Sequence, residues 1–178
     1  MLAVALSAEQ ARATLAEYPG VELAAINSPG LMTLAGAVEP LRRIDERLQQ
    51  DGVFTRWLRG QYAFHSAQMD PFHDELLETL ATIDARPARI PIVSTVTALP
   101  ISGESMDGTY WWNNIRQPVL FGPALAQTIA EGDVTFVEVS PHPVLESSIK
   151  PATQASSARS MLIVRSPMNS LANPRIDR

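Results

Sequence analysis

One histidine stands where the residue types could do chemistry. In Gln61-Tyr62-Ala63-Phe64-His65-Ser66 an apolar, aromatic run ends on an imidazole and a serine, and Met69-Asp70-Pro71 follows closely. Imidazole is the side chain most readily used as a base near neutral pH. A strand delivering it to a sheet edge would place it where α/β folds keep their chemistry. The competing assignment is a core histidine with a satisfied hydrogen bond. His142 lies in Ser140-Pro141-His142-Pro143, after an apolar run. Ser140 and His142 are candidates for the rim of the same edge, against the simpler assignment of a rigid turn. His73, one turn into a helix, reads as a surface residue. The three histidines lack close ligand spacing, and Asp70 with His73 makes a poor metal site, so no metal is expected. The absence of cysteine excludes disulfides, thiolate metal sites and a cysteine nucleophile.

The elements that must position His65 follow in order. Residues 1–6 form a short apolar strand. Ser7 and Gln10 make a capping box for a helix over 8–18, with Ala11, Leu15 and Tyr18 on one face. Two strands, 21–27 and 31–35, flank a Ser28-Pro29-Gly30 turn. A helix over 40–50 turns Leu41, Ile44 and Leu48 inward, and 54–57 begins another strand. Strand, helix, strand, strand, helix, strand is the ferredoxin-like order, which assigns residues 1–60 to a small lobe.

Beyond the His65 strand, Asp70-Pro71 opens a helix to about 82. A β-branched strand is expected over 90–96, helices over 110–115 and 118–130, and a short helix over 144–149. Residues 134–139 read as a strand buried on both faces, because apolar residues do not alternate there. A last strand is expected over 161–164 and a loose tail over 166–178. The fold class is α/β. Hydrophobic content of 46% and charged content of 19% describe a soluble globular protein. The net charge of −5 argues against a nucleic-acid partner. No apolar run suits a membrane span and no leader pattern is visible, so a cytoplasmic location is expected.

Tyr62-Ala63-Phe64-His65-Ser66 closely resembles the histidine motif of acyltransferase domains in modular polyketide synthases and type I fatty acid synthases. Asn27-Ser28-Pro29 with Gly36 looks like that family's small lobe. Tyr110-Trp111-Trp112-Asn113-Asn114-Ile115-Arg116-Gln117-Pro118-Val119 is similar to its Trp-rich helix entry. Phe136-Val137-Glu138-Val139-Ser140-Pro141-His142-Pro143-Val144-Leu145 is similar to its last large-lobe strand and turn. Four motifs in the family's order cover residues 1 to about 150. The resemblance implies a ferredoxin-like small lobe, residues 1–60, beside the C-terminal part of a parallel-sheet, α/β-hydrolase-like large lobe, residues 61–165. It implies that His65 deprotonates a serine, which attacks an acyl-CoA thioester. Asn114 falls where a backbone carbonyl holds the histidine ring in family members; the competing assignment is a helix-end residue bonding locally. No cofactor is implied beyond acyl-CoA as substrate and the phosphopantetheine of a partner acyl carrier protein.

The same resemblance assigns Tyr62, Ala63 and Phe64 to substrate selectivity. Phe at the Phe64 position goes with malonyl in the family, whereas Tyr at the Tyr62 position is more usual in methylmalonyl-selective domains. A methyl group is worth only about 1–3 kcal/mol of discrimination. The mixed motif leans to malonyl.

The family's nucleophile is a serine in Gly-His-Ser-x-Gly, and no serine here stands in that pattern. Gly103-Glu104-Ser105-Met106-Asp107 lacks the second glycine and a preceding strand. In the family the serine, the arginine that pairs with the extender carboxylate and the oxyanion-hole glutamine precede the small lobe. The chain is therefore expected to be the C-terminal portion of an acyltransferase domain, inactive alone, with the N-terminal half or neighbouring synthase domains as partners. Two alternatives stand beside it: a non-catalytic remnant or docking module that binds a carrier protein or synthase partner, and, remotely, an unrelated RNA-binding ferredoxin-like fold.

Overall fold

The computed structural model describes residues 1–60, 62–132, 134–139 and 144–154. Its first half is a four-stranded sheet carrying two helices. Strand β1 (Leu2–Val4) precedes α1 (Ala8–Ala16), β2 (Val21–Ser28), β3 (Leu31–Gly36), α2 (Val38–Gln50) and β4 (Thr55–Trp57). The spatial order is β2-β3-β1-β4, and every neighbouring pair is antiparallel. β1 therefore lies between β3 and β4 although α1, β2 and α2 intervene in sequence. Register follows burial: Leu2 opposite Leu34 and Val4 opposite Met32 all have no exposed surface.

Local chemistry explains the boundaries. Ser7 accepts the Gln10 amide at 3.2 Å while the Gln10 side chain accepts the Ser7 amide at 2.9 Å, so α1 starts at the expected capping box. Leu41, Ile44 and Leu48 of α2 lie buried against Leu2, Val4 and Leu34, which makes one face of that helix core. Gly36 is required by close approach: a Cβ there would sit 2.5 Å from the Gly20 carbonyl oxygen. Asp45 pins β4 to α2, accepting from Trp57 Nε1 at 2.7 Å, Gln49 Nε2 at 2.8 Å and the Thr55 hydroxyl.

The remainder of the chain departs from expectation in several places. Residues 61–66 were to be a strand; Tyr62 to Ser66 instead form a turn leading into a 3-10 segment, Ala67–Phe72. His65 has φ of +61°, a left-handed conformation that no strand contains. Ser66, rather than Asp70, caps that segment through the Gln68 amide, and α3 (His73–Leu80) begins only after Pro71. Residues 90–96 yield only β5 (Ile92–Val93), paired antiparallel to β6 (Pro100–Ile101). Ser105 lies in a 3-10 turn, and Gly103 packs so closely on the 86–88 connector that a Cβ would stand 2.3 Å from the Arg86 carbonyl oxygen.

Helix α4 (Gly108–Arg116) forms where expected, but α5 (Phe121–Ala130) starts three residues after Pro118. Val119 is held by β2 instead: its amide donates to the Ala24 carbonyl at 2.9 Å and its carbonyl accepts from Ile26 at 2.8 Å. This isolated bridge is the one parallel pairing among the described residues. The parallel sheet expected of 61–165 is not formed among them. Residues 134–139 form no strand among the described residues, and Val137 is 56% and Val139 89% exposed. Glu138 is buried and accepts from the amides of Val144 and Leu145, just ahead of α6 (Glu146–Gln154). The expected strand over 161–164 and tail over 166–178 lie outside the described residues. No helix among the described residues is long and apolar enough to cross a membrane.

Candidate active site

Two backbone carbonyls at the end of α4 fix His65. Its amide donates to the Ile115 carbonyl at 2.9 Å, and its Nδ1 lies 2.8 Å from the Gln117 carbonyl oxygen. A carbonyl only accepts, so Nδ1 carries the proton and Nε2 presents a lone pair. Among the described residues Nε2 has no hydrogen-bond partner. The expected acceptor was Asn114; the structure replaces it with Gln117, three residues on.

The reason is Pro118. A residue before proline is driven out of the helical region, and Gln117 is extended, at φ −82° and ψ 158°. Its amide still closes the last turn onto Asn113 at 2.8 Å, while its carbonyl swings off the helix axis toward the imidazole. Asn114 lies one turn earlier, inside α4.

Burial lowers the His65 pKa from its ordinary value of 6.5, and the bond to the Gln117 carbonyl, which favours the cation, only partly opposes this. The ring is accordingly neutral at pH 7 and available as a base. It is half-buried, with one nitrogen committed and one open.

The turn holding the ring is itself tied down. The Ser66 hydroxyl is buried and donates to the Ala63 carbonyl at 2.7 Å. The Ala67 amide donates to Glu22 Oε1 of β2 at 2.5 Å. Arg116, which lies between the two carbonyl-bearing residues, donates from Nη1 to Glu22 Oε2 at 2.9 Å and from Nε to Asp70 Oδ1 at 2.6 Å. None of Gln117, Arg116 or Glu22 was singled out by its sequence, and Ser66 was noted only as the end of the histidine motif. Arg116 and Gln117 sit inside the Trp-rich motif, which was the one available signal.

The residues expected to govern selectivity divide between two directions. Tyr62 is 65% exposed, and its ring lies 5.7 Å from that of Phe64, which is also exposed. Ala63 is buried against Ala24 and Ala35 of the sheet, so its small size fits the turn to the strands. A cleft of about 450 Å³ runs beside Tyr62 and Ala63, lined also by Trp57, Leu58 and Gln68. Ser140 and His142 lie outside the described residues. His73 bonds Asp74 at 2.7 Å and meets Trp112 edge-on, 4.7 Å between centroids, away from any metal-like cluster. No group of three or more His, Asp or Glu among the described residues could hold a metal.

An α/β chain bearing a carbonyl-anchored, neutral histidine with one free nitrogen is a chain equipped for general-base chemistry. The comparisons with known proteins make the class specific. A family model described as the acyl transferase domain matches residues 1–169, and the chain belongs to that family, in the form found in type I polyketide synthases. It is 42% identical over 159 residues to polyketide synthase GfsE of Streptomyces halstedii, covering 89% of this chain and 4% of that protein. To erythronolide synthase EryA2 of Saccharopolyspora erythraea it is 34% identical over 168 residues, covering 93% and 5%. Among solved structures, the acyltransferase domain from module 8 of the salinomycin polyketide synthase matches with TM-score 0.87 and 29% identity. That match covers 92% of this chain and 40% of the solved one. The loading acyltransferase of the avermectin modular polyketide synthase matches with TM-score 0.86 and 29% identity, covering 92% and 53%. The chain thus spans a small fraction of the synthases and about half or less of these two solved chains.

Proposed function

We propose that this chain carries the general-base half of an acyl-CoA:acyl-carrier-protein transferase. Residues 1–60 form its ferredoxin-like small lobe, and residues 61–165 belong to the C-terminal part of the large lobe. The serine lies in residues beyond these 178, in a Gly-His-Ser-x-Gly turn. His65 Nε2 takes the serine proton as Oγ attacks the thioester carbonyl. The C–S bond to CoA then breaks, and the proton passes from Nε2 to the departing thiolate. In the second half the phosphopantetheine thiol of an acyl carrier protein gives its proton to Nε2 and attacks the acyl carbonyl; the acyl–Oγ bond breaks and Nε2 passes the proton to the serine Oγ, freeing the serine. No cofactor enters. With Nδ1 anchored on a carbonyl, the ring needs no third acidic residue to fix its tautomer.

The observation that carries this reading is the imidazole whose Nδ1 is bonded to the Gln117 carbonyl and whose Nε2 is unpartnered among the described residues. The acyl group is malonyl-type, because Phe64 presents an exposed ring beside Tyr62 at the selectivity turn, where it would occupy the space of an α-methyl. Methylmalonyl is the alternative that Tyr62 favours. The partners are the carrier protein and the serine-bearing remainder of the domain, in the cytoplasm.

Intact-mass detection after exposure to malonyl-CoA tests the proposal. An acyl adduct is expected on a serine-bearing segment supplied in trans, and none on this chain alone. His65→Ala should slow transfer by about 10²–10⁴-fold. An adduct on this chain alone, or transfer indifferent to His65→Ala, would overturn it.

A further inference from the structure

The base is held by α4 and by the 63–67 turn, and these two must be kept in register for the ring to meet its carbonyls. The turn cannot do this by itself. His65 sits at φ +61°, a left-handed conformation that strains a non-glycine residue and persists only where the surroundings impose it. Glu22 reaches the turn with one carboxylate oxygen, at the Ala67 amide, and Arg116 with the other. Arg116 continues to Asp70 in the 3-10 segment that follows the histidine. Strand β2, the histidine turn, the 3-10 segment and the end of α4 thereby close into one hydrogen-bonded ring. Its hub is a guanidinium whose side chain is 20% exposed. The two carbonyls that hold His65 belong to the residues on either side of that hub.

We propose that Arg116 is a positioning residue for His65: by bridging Glu22 and Asp70 it sets the end of α4 against the histidine turn and so fixes where Nε2 points. A planar guanidinium serves both carboxylates at once from Nε and Nη1, which the single ammonium of lysine cannot do in this geometry. That this placement matters for acyl transfer rests on the general-base reading above; the placement itself does not.

The test is NMR on the full chain carrying Arg116→Met. The His65 titration midpoint should rise toward 6.5, because a turn no longer held against the end of α4 lets water reach the ring whose burial lowers it. The His65 amide should exchange about tenfold faster. Arg116→Lys should recover part of both. Arg47→Met, which removes the Arg47–Glu17 bridge between α2 and the end of α1, should leave both unchanged and so separates positioning from general loss of an ion pair. A folded Arg116→Met protein with the parent midpoint and exchange rate would overturn the proposal. Should Arg116→Met not fold, Asp70→Asn removes only the Nε arm, and unaltered His65 amide exchange in it would overturn the proposal equally. If Arg116→Met shifts the imidazole but no transfer ever occurs with the serine segment supplied, positioning stands and the general-base reading falls.

Discussion

Residues 1–57 and residues 62–154 solve the problem of burying apolar surface in opposite ways. The first stretch closes an antiparallel sheet under two helices, and Leu2, Val4, Met32, Leu34, Leu41 and Ile44 end with 1% exposure or less. Among its described residues the second buries few large side chains, and Val137, Val139 and Val144 remain mostly in solvent. Its firmest anchors are made to the first stretch: Val119 on β2, Arg116 on Glu22, Ala67 on Glu22, Ala63 under the sheet. The candidate base therefore sits on the weaker region but is aligned by the stronger one. A self-contained lobe acts here as the template on which a histidine turn is set.

Substitutions in the two regions should separate accordingly. Ile44→Ala, in the fully buried face of α2, should cost about 2–5 kcal/mol in denaturant unfolding. Val139→Ala, at a position 89% exposed, should stay within about 0.5 kcal/mol. Equal costs at both sites would erase the contrast. Gly36→Ala should cost about 1–3 kcal/mol, because the new Cβ meets the Gly20 carbonyl oxygen and the backbone must shift; an unchanged thermal midpoint would show that the β2–β3 end is looser than described.

The smallest effect is acidic. Burial raises the Asp45 pKa, but bonds from Thr55, Trp57 and Gln49 outweigh it and hold the carboxyl below its ordinary value of 3.8. The unfolded chain then binds a proton at higher pH than the folded one, so this contribution is complete above 3.8 and disappears as pH falls through the lower folded value. Asp45→Asn should flatten that part of the stability-against-pH curve, read by urea unfolding from pH 5 to pH 2; a curve identical to the parent's would remove Asp45 from the account.

Much of the first lobe was legible because its signals are local. The Ser7 capping box, the Ser28-Pro29-Gly30 turn and the 3.6-residue spacing of Leu41, Ile44 and Leu48 each act over a few residues, and each element forms within two residues of expectation. The histidine turn was misread as strand because Tyr62-Ala63-Phe64 makes an apolar, aromatic run of the kind strands favour. Its hydrogen bonds go to Ile115, 50 positions away, which no local pattern reveals. Gln117 was invisible for a related reason: every residue has a carbonyl, and only the proline after it decides which one turns aside. The apolar run at 134–139 read as a doubly buried strand, yet a strand exists only with neighbours, and none lies beside it among the described residues.

The placement of the His65 proton bears most directly on all of this. Nitrogen-15 NMR of the full chain, titrated from pH 8 to pH 5, should find the Nδ1–H tautomer and a midpoint below 6.5. An Nε2–H tautomer, or a midpoint at or above 6.5, would mean that the free nitrogen is not an available base and would contradict the mechanism.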